Sequence, residues 1–220
     1  MKFISAAFGQ ILYQFQMDEI RPPSGFDYLT TIRTISERYR FLEPPTDSKE
    51  IIDKGIIFGK GAITLCNTSI QVTSLGIYND GILLNTLNTN DADFLIDDFM
   101  QWATKEFGLR EPITPPRRNY SSQVVVDFDA SIDGLLKGFS SIVNLLNEGL
   151  RKCSNNEFDL HVARLGVSGD PHVLRFPAQS AFYIEPRGGL AYSSHRYFSG
   201  APLTTELHLD LLAQVERLLV

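Results

Sequence analysis

Apolar residues early in the chain follow two different periods, which predict a strand and then a helix. The segment from Phe3 to Asp18 mixes apolar and polar residues and ends at a Pro-Pro-Ser-Gly cluster, which favours a strand. From Phe26 to Leu42 the apolar residues recur every three or four positions, as on one helix face: Leu29, Ile32, Ile35, Tyr39 and Leu42. Pro44 and Pro45 end this predicted helix.

Three apolar runs separated by turn residues come next and predict three strands. They extend from Gly55 to Leu65, from Ser69 to Asn79 and from Ile82 to Leu87. Asn79, Asp80 and Gly81 accept positive φ, which predicts a tight type I′ hairpin between the last two strands.

A second amphipathic helix is predicted from Asp91 to Phe107. Its apolar stripe consists of Leu95, Phe99, Trp102, Ala103 and Phe107. We expect Asn90 or Asp91 as the N-cap, and Gly108 suits the C-terminal stop.

The same order of elements then begins again. A β-branched run from Gln123 to Phe128 predicts a strand, and the segment from Ala130 to Lys152 has the strongest helical periodicity of the chain. The apolar face of this long helix contains Ile132, Leu135, Leu136, Phe139, Ile142, Val143, Leu146 and Leu150.

Three more strands and a last helix complete the chain. The strands are predicted from Phe158 to Gly166, from His172 to Glu185 and from Ala191 to Phe198, with Gly188 and Gly189 as a tight turn. The final helix is capped by a threonine and has one apolar stripe: Leu207, Leu211, Leu212, Val215, Leu218 and Leu219.

These elements predict an α+β protein made of two similar halves, each with the order strand, helix, three strands, helix. Placing Asp80 and Gly81 on Gly188 and Gly189 gives an offset of 108 residues, and this shift also brings the helices close to one another. We expect an N-terminal half over 1–110, a proline-rich linker over 111–118 and a C-terminal half over 119–220, in one continuous globular unit. The sheet should be antiparallel, with helices mainly on one face.

This order of elements resembles the halves of the TATA-binding-protein fold. The resemblance concerns topology, and no binding residue of that family has a counterpart in this sequence. Halves with this order can leave one sheet face free, or can meet edge to edge in one continuous curved sheet.

Composition and charge are those of an ordinary globular protein, with 43% hydrophobic and 21% charged residues. The 26 acidic residues exceed the 20 Lys and Arg, giving a net charge of −6, which argues against a nucleic-acid partner. Cys66 and Cys153 are far apart and form no metal-ligand or CxxC pattern. Glutamines interrupt the N-terminal apolar stretch, which predicts a cytoplasmic protein without a membrane span.

The C-terminal hairpin contains the candidate binding residues. A two-residue turn at Gly188 and Gly189 would place Glu185 opposite Tyr192 and Tyr183 opposite Ser194. The residues predicted to share one surface are Tyr183, Glu185, Arg187, Tyr192 and Arg196. Tyr and Arg are enriched at interface hot spots, although the same residues also suit simple cross-strand pairing on a solvated face.

Catalytic and metal sites are not predicted. The sequence contains no nucleophile elbow, Walker loop, dinucleotide fingerprint or HExxH motif. The acidic group of Asp91, Asp93, Asp97 and Asp98 is explained in part by the helix dipole. We therefore expect neither a metal nor a cofactor.

The leading functional hypothesis is a non-enzymatic binding or assembly protein, acting as a subunit or adaptor in a larger complex through a protein partner or self-association. One alternative is a hydrolase or transferase whose site forms around Glu185, His195 and Arg196, with His208 as a further candidate base. Another is nucleic-acid binding along the sheet face, which would require a positive surface.

Overall fold

The computed structural model describes residues 1–23, 25–46, 55–65, 68–153, 160–168 and 181–219, without the side chains of 136, 137 and 140. The described residues form an α+β fold with one eight-stranded antiparallel sheet and five α-helices. The strand order, numbered along the chain, is 2-3-4-1-5-8-7-6. None of the described helices is long and apolar enough to cross a membrane.

Two compact units can be distinguished. The larger comprises Ala6–Gln123 with Pro202–Thr205, and the smaller comprises Met1–Ser5, Val124–Ala201 and Glu206–Val220. The strand bounds are β1 (Lys2–Gln14), β2 (Ile56–Leu65), β3 (Thr68–Tyr78), β4 (Gly81–Thr86), β5 (Arg117–Asp127), β6 (Leu165–Val167), β7 (Phe182–Pro186) and β8 (Arg196–Ala201). The helix bounds are α1 (Met17–Ile20), α2 (Tyr28–Tyr39), α3 (Thr89–Phe107), α4 (Ser140–Cys153) and α5 (Thr205–Arg217).

In the larger unit, β1 pairs antiparallel with β4, β4 with β3, and β3 with β2. Asp27 caps α2 by accepting a hydrogen bond from the backbone N–H of Thr30. Helix α3 is capped by Asn88, not by the predicted Asn90 or Asp91. It ends at Gly108, whose φ of 67° is the left-handed conformation expected of a glycine stop.

The predicted hairpin before Gly81 is confirmed, because Tyr78 pairs with Gly81. Its type I′ turn is wrong, since neither Asn79 nor Asp80 has a positive φ. The backbone oxygens of these two residues accept hydrogen bonds from Met17 N at 2.8 Å and Phe15 N at 3.2 Å. These contacts with the chain after β1 hold the turn in a different conformation.

The core of the larger unit is rich in aromatic side chains. The ring of Phe41 stacks on Phe58, with centroids 5.0 Å apart, and Tyr39 packs against Phe41 and Phe99. The fully buried aliphatic residues of this core include Ile11, Ile20, Ile35, Ile82, Leu95 and Ile96. Helix α3 thus buries its predicted apolar face, whereas α2 buries Ile35 and Tyr39 but leaves Leu29 exposed, as is Leu42 after its end.

In the smaller unit, β7 pairs antiparallel with both β6 and β8. Helix α5 contributes Leu212 and Val215 to the core of this unit, whereas Leu207 and Leu218 of the predicted stripe are exposed. The buried residues of this core are Val124, Val126, Phe128, Ile132, Ile184, Tyr197, Leu212 and Val215.

The predicted long helix from Ala130 to Lys152 is divided. Ile132–Phe139 forms a 3₁₀ segment, and only Ser140–Cys153 is α-helical. Gly134 and Gly138 lie in the 3₁₀ part, where their low helix propensity weakens a regular α-helix.

The predicted register of the C-terminal hairpin is wrong. Glu185 pairs with Phe198 and Tyr183 pairs with Gly200, so β8 begins five residues later than the predicted strand at Ala191. The chain between β7 and β8 contains a 3₁₀ turn at Tyr192–Ser194. Serine residues compete with the ladder for backbone hydrogen bonds, which favours this turn over a continued strand.

Several predictions concern residues outside the described part of the chain. These are Cys66, His172 with the first part of its strand, and the first part of the strand predicted from Phe158.

Candidate functional site

Strands β7 and β8 present two different surfaces, because successive side chains point to opposite faces. Ile184 and Tyr197 lie in the core beneath α5. Tyr183 and Phe198 belong to the opposite surface, which we call the β7–β8 face. It consists of Asp127, Arg164, Tyr183, Glu185, Arg187, Arg196, Phe198 and Gly200.

The ring of Tyr183 stacks with two neighbours on the β7–β8 face. The ring lies directly over Gly200, where an added Cβ would be 2.5 Å from Cε1 of the tyrosine. The guanidinium carbon of Arg164 is 4.1 Å from the centroid of the same ring, a cation–π contact. Nε of Arg164 also lies 3.8 Å from a carboxylate oxygen of Glu185.

The environment of Tyr183 disfavours its ionised form. Partial burial and the Glu185 carboxylate raise the pKa of this phenol, while the charge of Arg164 opposes the shift. The side chain is therefore a neutral hydroxyl with a fixed ring.

Arg196 is held by Asp127 in a two-point ion pair. Its Nε and Nη2 donate to the two carboxylate oxygens at 2.6 Å and 2.9 Å. These hydrogen bonds lower the pKa of Asp127, so the pair is charged at neutral pH. The guanidinium fork is thus already occupied within the protein.

Arg187 is the exposed cation of the β7–β8 face. Its guanidinium carbon lies 5.5 Å from the centroid of Phe198, and its backbone N–H donates to the Arg196 carbonyl oxygen at 2.8 Å. In the part of the chain that the structure describes, no carboxylate forms an ion pair with Arg187. An acidic group from outside the chain could therefore bind here.

Tyr192 does not share this surface. It lies in the 3₁₀ turn, 47% exposed, with its ring centroid 5.1 Å from that of His161. The structure thus brings together four of the five predicted binding residues and separates the fifth from Glu185.

Sequence reasoning missed Asp127, Arg164, Phe198 and Gly200. The alternation of β8 would have identified the last two if the register had been known. Arg164 precedes β6, whose pairing with β7 places it beside Glu185. Asp127 ends β5, and no local pattern links it to Arg196.

The residues of the catalytic alternative have other partners. Glu185 contacts Arg164, and Arg196 contacts Asp127. His195 has a left-handed backbone with φ of 48°, and its carbonyl oxygen accepts a hydrogen bond from Phe128 N. His208 is fully buried in the core, where Nε2 lies 2.9 Å from Oγ of Ser199.

The acidic residues of α3 bind protein groups. Asp93 and Asp97 both contact the guanidinium of Arg118. Asp98 accepts hydrogen bonds from Arg38 at 2.8 Å and from the hydroxyl of Tyr39 at 2.9 Å. Within the described residues, no group of three or more His, Cys, Asp or Glu side chains could hold a metal ion.

Comparison with known proteins identifies no relative. The chain matches no family model, and its similarity to curated proteins does not reach significance for any of them.

Proposed function

We propose that this chain is a non-enzymatic binding protein, a subunit or adaptor of a larger complex, whose protein partner binds the β7–β8 face. The observation that carries this proposal is the stack of Gly200, Tyr183 and Arg164 beside the exposed Arg187. Aromatic and arginine side chains supply most of the energy of many interfaces.

The β7–β8 face is preorganised for binding. Arg196 is held by two hydrogen bonds to Asp127, and the ring of Tyr183 rests on backbone, so few rotations of these two side chains would be lost on association. Three arginines and two carboxylates leave an excess of one positive charge on the face.

This chemistry suits one class of partner. The partner would place a carboxylate on Arg187 and an apolar side chain against the partly exposed ring of Phe198. A polyanion such as nucleic acid is a less suitable partner for the β7–β8 face, because two of its three arginines already bind carboxylates.

The cytoplasm is the proposed location. Cys153 is a free, exposed thiol, and such thiols persist in reducing compartments.

An internal duplication is proposed as the origin of the fold. The strands of the first half are ordered 2-3-4-1 and those of the second half 6-7-8-5, so each half has the same internal order. In each half a helix follows the first strand and another follows the last strand, and this last helix begins at a threonine, Thr89 or Thr205.

Affinity capture with two charge-reversal variants tests the proposed function. Wild-type, Arg187→Glu and Arg33→Glu chains would be used as baits in nuclease-treated lysate of the source cells, and captured proteins would be quantified by mass spectrometry. Arg33 is 73% exposed on α2 and is not a residue of the β7–β8 face, so its reversal provides the same charge change as a control.

We expect the wild-type and Arg33→Glu chains to retain one protein in stoichiometric amount, and the Arg187→Glu chain to lose it. With the purified partner, Arg187→Glu should raise the dissociation constant by about tenfold or more. Retention that is equal for all three baits, or no stoichiometric protein, would refute the proposal.

A further inference from the structure

The segment between α3 and β5 contains prolines and an arginine at the spacing of a polyproline II ligand. Residues 112–117 read Pro-Ile-Thr-Pro-Pro-Arg, with Pro112 three positions before Pro115 and Arg117 two positions after it. A polyproline II helix has three residues per turn, so it would place the two prolines on one edge and Thr114 with Arg117 on the next. Grooves lined by aromatic side chains bind proline pairs at this spacing.

We infer that residues 111–117 are a docking site, restrained by Glu19, for a domain whose groove holds the two prolines between aromatic side chains and binds Arg117 with acidic ones. SH3 domains have a groove of this kind. The site shares no residue with the β7–β8 face, and it does not depend on the proposed function.

Most of the side chains that such a groove would contact are accessible. Thr114, Pro115 and Arg117 are exposed, whereas Pro112 is half-buried. Pro116 would lie on the third edge, which points away from a groove, and it is half-buried as well. A partner could therefore reach most of the motif without unfolding the protein.

The charge of the segment favours an acidic partner. Residues 110–118 contain three arginines and one glutamate, a net charge of +2 in a chain whose total is −6, although Arg118 already binds carboxylates of α3. The backbone N–H group of Arg110 donates to the Ile20 carbonyl oxygen at 2.9 Å, which brings Arg110 beside the exposed Arg21. Acidic residues along the groove would be complementary to these arginines, and added salt would then weaken binding.

Glu19 holds the segment in a bent conformation. Its Oε2 accepts hydrogen bonds from the backbone N–H groups of Ile113 and Thr114 at 3.0 Å and 3.1 Å. The chain bends at these two residues, and Ile113 is 85% exposed. A polyproline II helix is straight, so the bend must open before both prolines can enter one groove.

Only the first part of the segment has to change. Thr114 and Pro115 each precede a proline, which restricts both to extended backbone conformations close to polyproline II. Opening therefore consists mainly of turning the backbone at Ile113 and breaking the hydrogen bonds to Glu19. While these bonds are formed, the chain cannot adopt the bound conformation, so Glu19 lowers the affinity of the site.

Titration calorimetry tests the site with a defined probe, an SH3 domain selected for binding Pro-x-x-Pro-x-Arg peptides. We expect the whole wild-type chain to bind it, and Pro115→Ala and Arg117→Glu each to raise the dissociation constant by about tenfold or more. Pro23→Ala and Arg33→Glu are the matched controls, since they make the same changes at exposed positions outside the segment. Both controls should bind the probe as the wild type does.

A pair of variants at Glu19 tests the restraint. Glu19→Ala removes the acceptor and should lower the dissociation constant by roughly threefold to tenfold. Glu19→Gln keeps an amide oxygen that can accept the same hydrogen bonds, so its affinity should stay closer to that of the wild type. In nitrogen-15 NMR spectra, the amide signals of Ile113 and Thr114 should shift both in Glu19→Ala and when the probe is added to the wild type.

Two sets of results would contradict these expectations. Absence of binding by both the wild-type and Glu19→Ala chains, or binding that neither Pro115→Ala nor Arg117→Glu weakens, would overturn the docking site. Equal affinity of the wild-type and Glu19→Ala chains would overturn the role of Glu19. Circular dichroism and thermal unfolding of each variant distinguish a lost contact from a misfolded chain.

Discussion

Nε2 of His208 lies 2.9 Å from Oγ of Ser199, and neither side chain has any exposed surface. The hydroxyl of Ser199 donates its proton to the backbone oxygen of Tyr183 at 2.6 Å, so the oxygen accepts a hydrogen bond from the imidazole. Nε2 of His208 therefore carries the proton of a neutral ring. The ring of Phe182 packs at right angles to this imidazole, which adds to its apolar surroundings.

The first prediction is a loss of stability in mild acid. Burial lowers the pKa of His208 from its ordinary value of 6.5 to about 4. The unfolded state therefore binds a proton as the pH falls through 6.5, while the folded state remains neutral until about pH 4. The stability that the neutral His208 contributes is fully present above pH 6.5. The free energy of unfolding should therefore be lower by roughly 2 to 3 kcal/mol at pH 4.5.

Urea unfolding of the wild-type and His208→Gln chains at pH 7 and pH 4.5 measures this loss. Glutamine retains an N–H donor and does not titrate, so the variant should lose less stability over the same interval. An equal loss in both chains would show that another group is responsible.

The second prediction concerns a pair of threonines that exchange hydrogen bonds. Thr89 N donates to Oγ1 of Thr205 at 3.0 Å, and Thr205 N donates to Oγ1 of Thr89 at 2.7 Å, with both residues buried. Thr89→Val or Thr205→Val leaves a buried N–H group without an acceptor. Each should lower the free energy of unfolding by roughly 1 to 3 kcal/mol.

The double variant should cost less than the sum of the single ones, because each single variant also removes the one hydrogen bond that joins the two hydroxyls, 3.1 Å long. Chemical denaturation of the four proteins gives this cycle. Thr104→Val provides the control, since the hydroxyl of Thr104 makes an exposed bond to the Met100 carbonyl oxygen, and its loss should cost about 0.5 kcal/mol or less. Additive losses would show that the hydrogen bond between the two hydroxyls contributes nothing measurable.

The sequence predicts best what is determined by neighbouring residues. The periodicity of Phe26–Leu42 and of Asp91–Phe107 identified α2 and α3, and the glycine stop at Gly108 was confirmed. The sequence did not predict contacts between residues that are far apart along the chain. Thr89 and Thr205, for example, are 116 positions apart and resemble any other helix-starting threonine.

The candidate surface was predicted only in part, for a related reason. Strand alternation placed Tyr183, Glu185, Arg187 and Arg196 together, but the opposing residues depend on the register, which the turn at Tyr192–Ser194 shifted. Periodicity likewise identified the apolar residues of α4. It could not show that Val143 faces the protein while Leu145 is 68% exposed, because that difference depends on tertiary packing.

The third prediction compares two adjacent aspartates with different surroundings. Asp98 is 21% exposed and binds Arg38, whose guanidinium also lies 4.8 Å from the Trp102 ring centroid. Asp97 is 62% exposed and binds Arg118. Asp98→Asn should lower the free energy of unfolding by roughly 1.5 to 3 kcal/mol, because a partly buried charged hydrogen bond is lost.

Asp97→Asn is the matched control and should cost about 1 kcal/mol or less, as an exposed pair does. Urea denaturation at low and moderate salt measures both. Added salt should reduce the effect of Asp97→Asn more than that of Asp98→Asn, since exposed charges are screened more strongly. Equal costs would mean that burial does not distinguish the two pairs.

The fourth prediction tests the stack at the centre of the β7–β8 face. Gly200→Ala places a methyl group 2.5 Å from Cε1 of Tyr183, so the ring must move from its position over Gly200 and change its contact with Arg164. The variant should lose roughly 1 to 3 kcal/mol of stability.

In a Tyr183→Ala background the obstacle is absent, and the same change should be neutral or slightly stabilising, since alanine restricts the unfolded chain more than glycine does. Gly166→Ala, on β6, is the control because its Cβ would approach no atom closer than 3.9 Å. If thermal unfolding shows that Gly200→Ala costs the same in both backgrounds, the ring of Tyr183 does not depend on the glycine beneath it.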